Sequence, residues 1–225
     1  RLYRYPLLLI LVVYIAASIA VACSSPETED RLIKAEALME QQPDSSLSVL
    51  KGIDRAKLGS DKERARYALL MSQALDKNYI DTTTFDVLQP AIDYYLDKGT
   101  ADEKLKTCYY QGRIYQNQGN LDDAMRCFIN GREYRSEAAD TLAIANLLVA
   151  QATILYQTYK FNDFIRDYLD AANLYSKIGK TDYQLMSLCN AIDVCIINND
   201  KHQADSVFKV VDRIISDYPE HATII

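Results

Sequence analysis

An all-α chain of stacked antiparallel helix hairpins is what three features of the sequence predict. Of its 225 residues 49% are hydrophobic and 25% charged, enough apolar material for one domain or one repeat array and too much for a disordered chain. Only 7 Gly and 5 Pro stand against 17 Tyr, and so few turn-formers suit long helices on short connections better than a many-stranded barrel or sandwich. The chain also resembles itself at a step close to 40 residues, which aligns Tyr115 with Leu155 and Cys195, Ala124 with Phe164 and Ala204, Phe128 with Tyr168 and Phe208, and Gly131 with Ala171 and Val211.

Residues 1–22 are a different material from the rest. Arg1 and Arg4 precede an apolar run from Leu7 to Ala22, small residues crowd its end, and Cys23-Ser24-Ser25-Pro26 with Glu27, Glu29 and Asp30 follow at once. This is the layout of a secretory signal, and the run is shorter than the roughly 20 residues a spanning helix prefers. Ala20-Val21-Ala22-Cys23 resembles a bacterial lipobox, with Ala20 where Leu is usual. That resemblance implies cleavage before Cys23, lipidation of Cys23, and residues 23–30 as a flexible acidic tether. The alternative is an uncleaved anchor with an incidental Cys23, and both place the folded part at a membrane outside the cytoplasm. Removing residues 1–22 leaves 23 Lys+Arg against 31 Asp+Glu, a net of −8, which argues against a nucleic-acid partner needing a clustered basic face.

From residue 31 to 225 the chain is expected to form one helical repeat domain. Ser60 with Glu63, Thr100 with Glu103 and Thr181 with Gln184 have capping-box spacing, and Asp140 stands at the remaining interval. With apolar residues at three- and four-residue steps, these caps predict helices at 31–41, 44–53, 61–77, 85–98, 101–118, 121–136, 141–158, 162–177, 182–198 and 201–217. Gly119-Asn120 reads as the turn of one hairpin, in which Gly112 and Ala124 permit close approach while Tyr115 and Phe128 fill the remaining space. After Pro219, residues 220–225 read as the start of a further helix, so the natural chain is expected to continue.

Cys108 to Gly131, CYYQGRIYQNQGNLDDAMRCFING, resembles the tetratricopeptide repeat. Gly112, Tyr115, Ala124 and Phe128 match that pattern, whereas Cys108 stands for its Trp, Gln111 for its Leu and Ser136 for its Pro. The resemblance implies a right-handed solenoid of helix hairpins. The longer step raises the HEAT repeat as a rival, but the spacing from Gly112 to Phe128 is the tetratricopeptide one. AEALMEQQPDSSLSVLKGID and ERARYALLMSQALDKN, behind a lipobox, are similar to export-signal-bearing tetratricopeptide proteins of the Bacteroidetes. A lipid-anchored place in a bacterial cell envelope, periplasmic or surface-exposed, is what this implies.

Signs of catalysis are sparse. His202 and His221 have no zinc-binding spacing, and no phosphate loop, Gly-x-Ser-x-Gly elbow or His-Glu-x-x-His is present. Asp122-Asp123 suits a helix N-terminus better than an acid/base pair. A non-enzyme without metal, cofactor or small-molecule substrate is expected. Cys189 and Cys195 are too far apart along one helix for a disulfide; Cys108 and Cys127 are closer but better suited to packing as free thiols.

In the tetratricopeptide family the first helix of each hairpin lines a concave face. By that resemblance the groove residues here are Arg66, Gln73, Lys77, Tyr109, Arg113, Gln116, Asn117, Asn146, Thr153, Tyr156 and Gln157, with Tyr109, Arg113 and Tyr156 as the energetic centre. The Lys/Asn clamp that some relatives use on a C-terminal carboxylate is missing. The expected function is a membrane-tethered scaffold or adaptor that binds a protein or peptide in its groove. The alternative is the extracytoplasmic sensor domain of a longer transmembrane signalling or transcription-regulating protein.

Overall fold

The computed structural model describes residues 26–224, so the expected signal segment, its cleavage site and Cys23 lie outside the described residues. Among the described residues there are ten α-helices and no strand. The chain divides into two compact units, Arg1–Lys98 and Gly99–Ile225.

The first unit contains α1 (Pro26–Leu38), α2 (Pro43–Lys51), α3 (Asp61–Lys77) and α4 (Gln89–Lys98), with a 3₁₀ turn at Arg55–Lys57. Helix α1 packs on α2 and α3, α2 on α3, and α3 on α4. Leu32, Ala35, Met39, Leu50, Leu70 and Ala74 form the core between the first three helices. The buried Ser46 hydroxyl donates to the Ala35 carbonyl at 2.7 Å, so its burial leaves no polar atom unmet. Ser60 and Glu63 form the expected capping box. Two starts differ from the sequence expectation by more than one residue. Helix α1 begins at Pro26, inside the segment expected to be a flexible tether, because Thr28 is buried and Glu29 pairs with Arg66 at 2.6 Å. Helix α4 begins at Gln89 rather than 85, with Pro90 in its first turn where the missing N–H leaves no bond unmade.

The second unit runs α5 (Ala101–Asn117), α6 (Leu121–Glu133), α7 (Thr141–Gln157), α8 (Phe161–Lys177), α9 (Thr181–Ile197) and α10 (Lys201–Asp217), closed by a 3₁₀ segment at Pro219–Ile224. Each helix packs on the next, and α5 also packs on α7, consistent with stacked helical hairpins. Helix α7, TLAIANLLVAQATILYQ, is apolar almost all round because it is buried on several sides: Ala145, Leu148 and Ile154 join the core of α5 and α6, while Ala152 and Leu155 join that of α8 and α9. Between α6 and α8 the guanidinium of Arg132 bridges both carboxylate oxygens of the fully buried Asp167, at 3.1 and 3.2 Å.

Gly112 makes room for Phe128 as expected. A Cβ on Gly112 would stand 2.4 Å from Phe128 Cε1, so it is the ring of Phe128 that fills the space opened by Gly112. Gly131 does the same one helix on, where a Cβ would meet Leu147 Cδ1 at 2.6 Å. Thr100 forms its capping box and Asp140 accepts from the Ala143 N–H at 2.9 Å. Thr181 does not cap: it is the first residue of α9, and Lys180 precedes it without a side-chain cap bond. Phe208 also departs from its register. It is 51% exposed, whereas Phe128 and Tyr168 are buried, because Ala204, Val207 and Val211 carry the buried stripe of α10 and no described helix covers the flank on which Phe208 lies.

Tyr79, Gly119, Tyr159 and Asn199 have φ of 56°, 76°, 57° and 57°, one left-handed residue every 40 positions, and Gly179 repeats it at 68°. After each, the next N–H donates back five residues, as in Asn120 to the Tyr115 carbonyl at 2.9 Å and Lys160 to the Leu155 carbonyl at 2.9 Å. These bonds meet carbonyls that the helix end would otherwise leave unpaired.

Candidate binding clefts

Two clefts open in the second unit, framed by α5, α7 and α9 with α8 as their floor. The first, about 310 Å³, is lined by Tyr109 and Arg113 of α5, Asn146 and Thr153 of α7, Tyr168 and Tyr175 of α8, and Tyr183, Met186 and Asn190 of α9. The second, about 570 Å³, is lined by Thr153, Tyr156 and Gln157, by Phe164 and Tyr168, and by Asn190, Asp193, Val194, Ile196 and Ile197. Thr153, Tyr168 and Asn190 line both, so the two clefts join. Helical spacing explains this lining. Asn146, Thr153 and Tyr156 recur at near-turn intervals on one side of α7, and Met186, Asn190, Asp193 and Ile197 do so on α9.

The polar groups of the clefts are held in place. The Tyr175 hydroxyl donates to Asn146 Oδ1 at 2.7 Å, and burial first, then the neighbouring Tyr183 and Tyr168, raise the Tyr175 pKa so that this proton stays on. Asn190 Nδ2 donates to the Met186 carbonyl at 2.7 Å. Thr153 donates to the Val149 carbonyl at 3.1 Å and hydrogen-bonds the buried Tyr168 phenol. With these bonds made, Asn146 Nδ2 remains as a donor and Asn190 Oδ1 as an acceptor. Around the second cleft Tyr156, Ile196 and Ile197 are 45%, 62% and 55% exposed, an apolar rim on a wet surface.

Of the residues expected to line a groove, the structure brings Tyr109, Arg113, Asn146 and Thr153 into the first cleft and Thr153, Tyr156 and Gln157 into the second. Gln116 accepts from Arg113 at 3.1 Å and donates to the Ala150 carbonyl at 3.3 Å; Asn117 is the last residue of α5 and lines neither cleft. Arg66, Gln73 and Lys77 lie in the other unit, engaged by α1 and the turn after it. Arg66 pairs with Glu29 at 2.6 Å and Glu36 at 2.7 Å, and Glu40 takes Lys77 at 3.0 Å and Gln73 at 3.4 Å. Tyr109 is half core, with its ring centroid 4.9 Å from that of Tyr110 and 6.2 Å from that of Phe128.

Sequence inspection missed the α9 wall, although the signal was present. Adding the 40-residue step to Asn146, Thr153, Tyr156 and Gln157 gives Met186, Asp193, Ile196 and Ile197, all of which line the clefts. Tyr175 was not legible, because nothing in a one-dimensional pattern marks which core-facing tyrosine turns its hydroxyl to an edge.

Cys108, Cys127, Cys189 and Cys195 are free thiols. Burial, then the neighbouring Cys127 and Glu133, push the Cys108 thiol up to about 12; burial and Asp123 push Cys127 up to about 11. Among the described residues no group of three or more His, Cys, Asp or Glu is placed to hold a metal ion, and no helix is long and apolar enough to cross a membrane. His202 is exposed in the first turn of α10, and His221 Nδ1 lies 2.5 Å from Asp182 Oδ1. No family model, no curated protein and no solved structure matches the chain.

Proposed function

We propose that the chain is a tetratricopeptide-like scaffold, tethered to a bacterial envelope membrane through a lipidated Cys23, which binds a protein or peptide in the clefts of α5, α7 and α9. The observation that carries the proposal is that joined clefts, lined by tyrosines, amides and an apolar rim, open where first-of-hairpin helices stand side by side. Such a surface offers large, rigid contact area with polar groups already oriented, the kind of lining that concentrates binding energy. The helix starts at 61, 101, 141 and 181 support the repeat assignment, and the spacing of Gly112, Ala124 and Phe128 favours its tetratricopeptide form. A non-catalytic role is part of the proposal. Affinity capture of the intact protein from envelope extracts, read by mass spectrometry, tests it: a partner recovered by the wild type and lost with Tyr156→Ala and Arg113→Ala is expected, and capture unaffected by both changes would move the binding surface elsewhere.

A further inference from the structure

We infer that the joined clefts select an extended peptide segment in which a bulky apolar side chain sits next to a lysine or arginine. The inference rests on the proposal that these clefts bind a protein. Three observations carry it.

Size and polarity come first. The second cleft, about 570 Å³, lies in the range of pockets that enclose a ligand or large side chains, and Phe164, Tyr156, Val194 and Ile197 give it apolar walls. A large aliphatic or aromatic side chain is what such walls favour.

Charge is the second. Asp193 is the sole ionisable acid or base other than tyrosine among the residues lining that cleft; it is exposed and makes no ion pair among the described residues. A carboxylate beside an apolar pocket favours a cation on the neighbouring position of the ligand and disfavours an acid there. Repeat geometry sharpens this. Arg113, Thr153 and Asp193 occupy one repeat position at 40-residue intervals, so a lane along the clefts carries a cation at α5, a neutral hydroxyl at α7 and an anion at α9.

Main-chain pairing is the third. Asn146 keeps Nδ2 as a donor after accepting from Tyr175, and Asn190 keeps Oδ1 as an acceptor after donating to Met186. One donor and one acceptor in the same cleft match the carbonyl and N–H that an extended chain presents and a folded helix face does not. An acyl chain or a sterol would leave both amides unmet in a partly desolvated site, at a cost to its affinity.

The test uses the full chain in lipid nanodiscs and three fluorescent peptide sets, framed by Gly and Ser and centred on Leu-Lys, Leu-Glu and Ser-Lys. Anisotropy should show Leu-Lys binding about tenfold tighter than either other set, since it alone supplies both the apolar contact and the favourable charge. Asp193→Lys should invert the order of Leu-Lys and Leu-Glu, and Asp193→Asn should bring the two within about twofold of each other. Asn190→Ala should weaken all sets alike. Binding that ignores charge, or Asp193→Lys that leaves the order unchanged, would overturn the inference while leaving a protein-binding cleft intact. If no peptide set binds but a fluorescent acyl chain does, both the inference and the proposal beneath it fall.

Discussion

At the scale of single residues the fold depends on where side chains are missing. Phe128 Cε1 would stand 2.4 Å from a Cβ on Gly112, a distance real contacts do not show, and Phe128 is fully buried and cannot swing into solvent. Gly112→Ala is expected to cost on the order of 1 to 3 kcal/mol, read as a lowered urea midpoint with unchanged slope. At Tyr79 the sign reverses. Its φ of 56° is left-handed and its side chain is 95% exposed, so Tyr79→Gly relieves about 1 to 2 kcal/mol of backbone strain against roughly 0.5 to 1 of added unfolded-state entropy. A small net gain in thermal midpoint is expected; a loss would mean that the exposed ring has a partner. Thiol chemistry gives a third readout. The buried Cys108 and Cys127, with thiol pKa pushed up to about 12 and about 11, should resist alkylation in the native protein while the part-exposed Cys189 reacts first. The left-handed turn at Gly119-Asn120 was legible in the sequence as a Gly-Asn pair, but those at Tyr79 and Tyr159 were not, because tyrosine carries no signature for positive φ.

At the scale of elements, helix ends hold the register. Asp140 caps α7 and bonds Lys106 of α5 at 2.6 Å, tying one hairpin to the next. Burial alone would raise its pKa, but the Lys106 contact and the Ala143 and Leu142 N–H groups outweigh it and hold the carboxyl below its usual value. A depressed carboxylate stabilises the fold above its unfolded pKa, about 3.9, and loses that contribution as pH falls through the folded value. Asp140→Asn keeps a cap but not the charge; it should cost about 1 kcal/mol at pH 7, with the difference from wild type closing as pH drops below about 4. The caps at Ser60, Thr100 and Asp140 were readable because a short polar side chain before an apolar run has few other uses. Thr181 misled because it lies one residue inside α9, where the same spacing to Gln184 occurs without the cap. The early start of α1 was hidden for a related reason: Pro26 to Asp30 reads as solvated, and the burial of Thr28 and the salt bridge from Glu29 to Arg66, 37 residues on, show that it belongs to the fold.

At the scale of the whole molecule, one interval governs the second unit. In the second unit helices begin at 101, 121, 141, 161, 181 and 201, a rhythm of 20 residues within a hairpin and 40 between hairpins, which the first unit shares only at 61, its other helices beginning at 26, 43 and 89. The clefts follow from that repetition together with what varies within it, since Arg113, Thr153 and Asp193 share a position but differ in charge. Periodicity made the helices legible, and the residues of α5 and α7 that line the clefts were named only through the tetratricopeptide resemblance, whereas the clefts between helices are properties of three-dimensional packing. The central claim is that partners bind in the clefts and not on the outer helices, and photo-crosslinking in cells measures this directly. A benzophenone amino acid at Tyr156 or Tyr183, both cleft residues, should capture a protein partner, while the same group at the exposed Arg126 of α6, which lines neither cleft, should not. Crosslinks from Arg126 with none from Tyr156 or Tyr183 would contradict it.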